Sequence, residues 1–234
     1  MEIPMYLAMT AAELRDVKTL NGHMAWLSCL FSPYSTGLSN VPKTLPPGSM
    51  LMLNDRMPIC GHDSELIAKT LCNTAKELDC SGIVLDFQRT GYDALYDVVR
   101  AVMDRACCPV GVSDLYASGF DCPVLVPPIA LHVLPKDALA PWEGREIWLE
   151  LSSSGTEICV TEKGSQYTPL LCPSLDGVVH CEPELHCHYT ITAKEDRVLF
   201  HLGRTKEDQI SLLESARELG VSCALGLWQE INDS

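Results

Sequence analysis

The sequence lacks the features that mark several classes of protein. Its 234 residues include only 17 basic side chains against 31 acidic ones, a formal charge of −14, and this excess of negative charge repels nucleic acid and anionic lipid. No apolar run approaches the roughly 20 residues of a membrane span. The first residues have no basic start and no long apolar core, so we expect no signal peptide. We therefore expect a soluble, cytoplasmic protein that binds neither nucleic acid nor membranes.

Cofactor and metal motifs are also missing. The chain has 12 cysteines but no C-x-x-C pair, and it has no glycine-rich phosphate loop, so we predict no cofactor. Cys29, Cys72, Cys107 and Cys223 lie within apolar segments, which favours reduced thiols over disulfides. The segment 180–188 holds three histidines and two cysteines, but their spacing differs from the common zinc patterns. We predict no metal there, although the spacing alone leaves the question open.

The sequence does contain alternating apolar strands and amphipathic helices. The segments 64–78 and 92–106 carry apolar residues at helical spacing, and each lies between two apolar runs, as in parallel sheets. Eight such runs favour a closed (β/α)8 barrel, or TIM barrel, over an open sheet. The predicted strands are 3–9, 23–31, 50–53, 83–88, 109–112, 123–126, 145–151 and 221–228.

The lengths of the connections indicate how this barrel departs from a regular one. There is little room for helices after the second, fifth and sixth strands, so part of the helical shell should be missing. The segment 155–200 reads as β-hairpins inserted before the last helix. We expect one domain over residues 1–234, with the insertion inside it.

Functional groups of a TIM barrel gather at the carboxyl ends of its strands. The residues predicted there to bind a substrate are Asn54, Asp86, Gln88, Asp114, Tyr116 and Trp228. Asp86 and Gln88 stand out because residues two apart on a strand point to the same side. A carboxylate and a carboxamide should thus emerge together at the barrel mouth.

Three parts of the chain, namely Ser81–Gln88, Leu219–Trp228 and residues 189–208, together resemble family 18 of the glycoside hydrolases, the chitinase-like barrels that include spore cortex hydrolases. The motif Asp-Gly-x-Asp-x-Asp-x-Glu on the fourth strand of that family is similar to Ser81–Gln88, which matches it at Gly82 and Asp86. The segment from Leu219 to Trp228 is similar to the last strand and its pocket tryptophan. The hairpin and helix between residues 189 and 208 are the third likeness.

The departures from the motif bear on activity. Ser81, Val84 and Gln88 replace its first Asp, its second Asp and its catalytic Glu. The resemblance implies that position 88 should donate a proton and that Asp86 should orient the substrate acetamide. The amide of Gln88 has no titratable proton. We therefore predict a barrel without glycosidase activity and without an assigned catalytic residue, which binds an oligosaccharide or small polar ligand or acts as an interaction protein.

Two alternatives remain open. The protein is an active hydrolase of chitin-like or peptidoglycan-like glycans if a displaced carboxylate supplies the proton, and the candidates are Asp86, Asp114, Glu150 and Asp55. It is an unrelated barrel enzyme if a lysine or histidine points into the pocket, because this fold hosts many chemistries. The oligomeric state does not follow from the sequence.

Overall fold

Eight parallel strands close into a barrel in the computed structural model, which describes residues 3–16, 23–59, 61–171, 173 and 175–232. The pairing of the first two barrel strands completes the ring, and the predicted TIM barrel is confirmed. The first group of strands is β1 (Met5–Met9), β2 (His23–Phe31), β3 (Leu38–Ser39), β4 (Met50–Asn54), β5 (Gly82–Asp86), β6 (Val110–Ser113), β7 (Val124–Val126) and β8 (Ile147–Leu151). Of these, only the two-residue β3 lies outside the barrel, antiparallel to β2.

A second, antiparallel sheet follows β8, and the predicted insertion is confirmed. Its strands are β9 (Gly155–Thr161), β10 (Gly164–Leu170), β11 (His180–Glu182), β12 (Cys187–Ala193) and β13 (Val198–Gly203), in the order β10-β9-β13-β12-β11. It extends to residue 203, three residues further than predicted. The chain then returns to the barrel as β14 (Val221–Leu227), which pairs with β1 and β8.

The helical shell is incomplete after the second and fifth barrel strands, as predicted, but a short helix, Pro135–Leu139, follows the sixth strand, where none was predicted. The helices are α1 (Ala11–Asp16), α2 (Ser64–Glu77), α3 (Asp93–Met103), α4 (Pro135–Leu139), α5 (Lys206–Arg217) and α6 (Trp228–Asn232), with a 3-10 turn at Ala140–Trp142. Among the described residues no helix joins β2 to β4 or β6 to β7. The capping-box spacing of Thr10 and Glu13 predicts a first helix that continues to about residue 20, and residues 17–20 lie outside the described ranges. No helix in the described part is long and apolar enough to cross a membrane.

Capping side chains fix where the two long outer helices begin. Asp63 accepts hydrogen bonds from the backbone N–H groups of Glu65 and Leu66 at the start of α2. Thr205 and Asp208 form a reciprocal capping box at the start of α5. Both starts coincide with those that the sequence indicates, since Asp63 precedes the predicted helical segment 64–78 and Thr205–Asp208 has the spacing of a capping box.

The barrel interior is filled at the end where the strands begin. Trp148 of β8 lies across the interior, and a Cβ atom built on Gly111 of β6 would lie 2.2 Å from its ring. A Cβ atom built on Gly82 of β5 would lie 3.1 Å from the same ring. Small residues on β5 and β6 therefore make room for one large ring, and the remaining interior space lies at the carboxyl ends of the strands.

Two predicted strands extend one or two residues too far at their carboxyl ends. The strand β5 ends at Asp86 rather than at Gln88, because the N–H groups of Phe87 and Gln88 bond to the side chains of Ser113 and Asp55 instead of a neighbouring strand. The strand β14 ends at Leu227, and Trp228 opens α6. Both ends lie at the barrel mouth, where side-chain hydrogen bonds replace the backbone ladder.

Candidate functional site

A cavity of about 220 Å³ opens at the carboxyl ends of the barrel strands. Its floor is apolar and its rim carries three carboxyl groups, an amide and one guanidinium group. This volume is below the roughly 300–1,000 Å³ typical of drug-sized ligands, so the enclosed part suits one ring-sized group. The lining residues are Ala8, Leu27, Met52, Arg56, Asp86, Gln88, Pro128, Glu150, Leu151, Ser152, Leu225, Gly226, Leu227 and Glu230.

Asp86 and Gln88 both line this cavity and are hydrogen-bonded to each other. The amide Nε2 of Gln88 donates to Oδ1 of Asp86 at 2.6 Å. Burial raises the pKa of Asp86, and the charge of Asp55 raises it further, while the bond from Gln88 and the charge of Arg56 lower it. The amide thus holds the carboxylate in one orientation at the rim.

The buried carboxylate of Asp55 fixes the backbone just beyond β5. It accepts the N–H of Gln88 at 3.1 and 3.2 Å and the N–H of Arg89 at 2.8 Å. Asp55 is 4% exposed and is absent from the cavity wall. It positions Gln88 through the main chain, because backbone N–H groups bonded to a buried acceptor cannot move freely.

Glu150 is the third group at the rim and comes from the opposite part of the barrel. It follows Trp148 by two positions on β8, so its side chain faces the interior. Burial raises its pKa to about 8, and the charges of Asp86 and Asp114 contribute to this rise. A large fraction of Glu150 is therefore protonated at neutral pH and has a proton to donate.

Glu230 and Ser152 close the side of the cavity next to Glu150. Oε2 of Glu230 accepts hydrogen bonds from Oγ of Ser152 at 2.7 Å and from the N–H of Ser153 at 2.9 Å. Neither residue is among the site residues predicted from the sequence. The sequence feature that could have revealed the pair is the presence of polar residues just after β8 and β14, because a barrel presents its functional groups at the ends of its strands.

The other four predicted site residues do not line the cavity. Asn54 is 2% exposed, donates to the carbonyl of Leu27 at 3.1 Å and accepts the N–H of Arg56. Tyr116 is 1% exposed, and its hydroxyl donates to the carbonyl of Arg89. Asp114 accepts the N–H of Leu115 at 2.8 Å, and its negative charge contributes to the raised pKa of Glu150.

Trp228 opens α6 and packs against the outer core between the barrel and its helices. In its place the wall of the cavity at β14 is formed by aliphatic residues. The polar groups at the ends of the strands thus divide into two sets, one in the cavity and one that ties the strand ends together.

The histidines and cysteines of the inserted sheet have separate contacts. Nδ1 of His188 lies 2.7 Å from Oδ2 of Asp208, and Nδ1 of His186 lies 2.9 Å from Oγ of Ser211. His180 stacks on Tyr189, and Cys187 is fully buried. Across the described ranges no group of three His, Cys, Asp or Glu side chains is placed to hold a metal ion.

The chain is similar to known proteins in its three-dimensional structure but not in its sequence. No family model matches the sequence, and no curated protein matches it. A family 18 N-acetylglucosaminidase from Paenibacillus barengoltzii aligns over 96% of this chain and 94% of its own, with a TM-score of 0.59 and 9% identity. The spore cortex-lytic enzyme SleL of Bacillus cereus aligns over 96% and 70%, with a TM-score of 0.58 and 10% identity.

A third similar structure is a class V chitinase from Nicotiana tobaccum, a Glu-to-Gln mutant solved in complex with NAG4. It covers 96% of this chain and 93% of its own, with a TM-score of 0.59 and 8% identity. The resemblance to chitinases and spore cortex-lytic enzymes that the sequence suggests is thus confirmed at the level of the fold.

Proposed function

We propose that this protein is a chitinase-like barrel that binds a carbohydrate at the barrel mouth and has lost the glycosidase reaction. The observation that carries the proposal is the pair formed by Asp86 and Gln88, which line one cavity 2.6 Å apart. The family pattern has a proton-donating Glu at the position of Gln88. An amide there keeps the hydrogen-bonding geometry but offers no acid proton.

The chemistry of the cavity wall supports a sugar as the ligand. Sugars present hydroxyl groups and apolar ring faces, and the cavity has carboxyl and amide groups at its rim above the aliphatic floor formed by Leu27, Met52 and Leu225. The class V chitinase with a similar fold was solved with NAG4 while it carried a Glu-to-Gln change. We propose the same combination here: a glutamine stands at the position of the acid, and the pocket still binds a glycan.

A paired binding and hydrolysis assay tests this function. We expect the tetramer of N-acetylglucosamine to bind the protein in calorimetry and to release no reducing sugar. The variant Asp86→Asn should bind more weakly, since an NH₂ donor replaces one of the two acceptor oxygens of the carboxylate, whereas Asp137→Asn, at an exposed position, should not matter. Absence of binding, or hydrolysis that disappears in Asp86→Asn, contradicts the proposal.

Glu150 favours a second candidate function, an active glycosidase with a displaced acid. It lines the same cavity as Asp86, and its pKa of about 8 suits a general acid at neutral pH. The expected signature is glycan hydrolysis that Glu150→Gln abolishes and Gln88→Ala retains. An unrelated lysine- or histidine-dependent reaction has less support, because the described residues that line the cavity include neither type.

The thiol groups support a reducing compartment, and we propose the cytoplasm. All ten cysteines described are free. Burial raises the pKa of Cys29 and Cys223 to about 12, so these thiols are packing residues rather than nucleophiles.

A further inference from the structure

The wall of the cavity at the barrel mouth carries an excess of negative charge. It has three carboxyl groups, those of Asp86, Glu150 and Glu230, and one positive group, the guanidinium of Arg56. Arg56 forms no ion pair with any described residue. Such a wall favours a ligand that carries positive charge and donates hydrogen bonds.

Two of these carboxyl groups have hydrogen-bond partners within the protein. Asp86 accepts from Nε2 of Gln88 at 2.6 Å. Glu230 accepts from Oγ of Ser152 at 2.7 Å and from the N–H of Ser153 at 2.9 Å. These donors fix the two carboxylates against the wall.

Glu150 is the carboxyl group without a partner. It lines the cavity, and its side chain takes part in no hydrogen bond or ion pair with any described residue. Burial, together with the charges of Asp86 and Asp114, raises its pKa to about 8. A carboxylate that is partly removed from water without a donor is unfavourable, so a cationic group of the ligand would stabilise it.

The shape of the cavity indicates an organic cation rather than a metal ion. Across the described ranges, no three His, Cys, Asp or Glu side chains are placed to hold a metal. The floor formed by Leu27, Met52 and Leu225 is apolar and suits the face of a ring, and the volume of about 220 Å³ suits one ring-sized group. A ring that bears one ammonium group and several hydroxyl groups matches both the floor and the rim.

We propose that the cavity selects an amino sugar with a free amino group, a glucosamine unit of a de-N-acetylated glycan, and that its ammonium group lies against Glu150. The inference rests on the proposed function, since it names the class of sugar that the same cavity prefers. An N-acetyl group has no charge to offer Glu150. The formal charge of −14 on the chain also attracts a cationic glycan.

Calorimetry with the tetramers of glucosamine and of N-acetylglucosamine tests the selection, because the two ligands differ only in their acetyl groups. The measurement is made at pH 7.5 and 0.15 M salt, which screens attraction between distant charges. We expect both tetramers to bind and the glucosamine tetramer to bind about tenfold or more tightly. Spermine, which has four amino groups and no ring, should bind at least about tenfold more weakly than the glucosamine tetramer.

The variant Glu150→Gln removes the charge and keeps the shape of the side chain. It should reduce the ratio of the two affinities to less than about threefold, whereas Glu162→Gln, at an exposed position, should keep the ratio of the wild type. A thermal melt checks that the Glu150 variant is folded.

The outcomes separate this selection from the proposed function. Equal affinity for the two tetramers, an unchanged ratio in Glu150→Gln, or spermine that binds as tightly as the glucosamine tetramer would overturn the selection and leave carbohydrate binding intact. Absence of binding by both tetramers would overturn the selection and the proposed function together.

Discussion

Glu150 shows how one side chain takes its chemical character from its surroundings. It lies near the end of β8, within reach of the charges of Asp86 and Asp114, and is largely removed from water. Burial and like charge both disfavour the ionised form, so the pKa rises to about 8. The neighbouring Gln88 is neutral at every pH. At neutral pH the protonated Glu150 and the amide of Gln88 are thus two neutral groups in the same cavity as Asp86.

The raised pKa of Glu150 predicts how stability depends on pH. Below about pH 4.5 the group is protonated in both folded and unfolded chains, whereas between pH 4.5 and 8 only the unfolded chain releases the proton. Wild type should therefore lose stability across this window relative to Glu150→Gln. We expect the variant to gain roughly 3 to 5 kcal/mol at pH 9 and nearly nothing at pH 4, measured by urea unfolding.

The control for this measurement is Glu162→Gln, a change at an exposed position of the inserted sheet. Its difference from wild type should be small and independent of pH. A difference for Glu150→Gln that does not vary with pH would show that the carboxyl titrates normally in the folded protein.

Some of the individual residues of the site could be predicted from the sequence. Asp86 and Gln88 follow from their positions after an apolar strand, and both line the cavity. Asn54 and Tyr116 satisfy the same rule, yet their polar atoms bond to the carbonyls of Leu27 and Arg89. A strand-end rule places residues near the barrel mouth, but it cannot tell whether a polar group faces the cavity or a neighbouring main-chain atom.

At the scale of elements, β5, β6 and β8 pack through one large ring and two glycines. Trp148 of β8 occupies the space that side chains at positions 82 and 111 would fill. The ring also donates from Nε1 to Glu146 at 3.2 Å. This packing fills the closed end of the barrel and leaves the mouth as the open end.

Gly111→Ala tests this packing. Its added Cβ would lie 2.2 Å from Trp148, so β6 and β8 must separate, and we expect a loss of about 3 kcal/mol or more in thermal or urea unfolding. Gly37→Ala is the matched control, because its Cβ would meet Leu66 at an ordinary 3.4 Å. If both variants unfold like wild type, the interior is looser than described.

Element boundaries were predicted to within a few residues where capping signals are local. Thr205 and Asp208 mark the start of α5 in the sequence and in the structure. The end of β5 was misplaced because the acceptor for the N–H of Gln88 is Asp55, which is 33 residues away in the chain. Such a long-range bond leaves no local trace in the sequence.

At the scale of the whole molecule, one guanidinium group links the inserted sheet to the barrel. Arg204 follows β13 and donates to the carbonyls of Ile129 at 2.6 Å, His186 at 3.0 Å and Leu185 at 3.2 Å. The carbonyl of Ile129 belongs to the connection after β7. Burial lowers the pKa of Arg204, but five donors in a fixed plane suit several carbonyl groups at once.

Arg204→Met should destabilise both parts together. Methionine is of similar length but has no donor, so the three carbonyl groups lose their partner, and we expect about 2 to 4 kcal/mol lower stability in urea unfolding. Arg100→Met, at an exposed position of α3, should change stability by less than about 0.5 kcal/mol. Separate unfolding of the inserted sheet in the wild type would contradict the expected single domain.

The barrel itself was predictable, because eight apolar runs with helices between some of them leave few other arrangements. The missing helices were also predictable, since the connections after the second and fifth strands are too short or too rich in proline. The strand order of the insertion, β10-β9-β13-β12-β11, could not be predicted. The order depends on which hairpin pairs with which, and the alternation of apolar and polar residues along one strand does not predict its neighbours.

The central claim is that Gln88 occupies the acid position of a pocket that still binds a glycan. The most direct test is the release of reducing sugar from the tetramer of N-acetylglucosamine by wild type and by Gln88→Glu. We predict no turnover by the wild type and measurable turnover by the variant, because a general acid contributes roughly 10² to 10⁴ in rate. Equal hydrolysis by both proteins, or none by the variant, would contradict the claim.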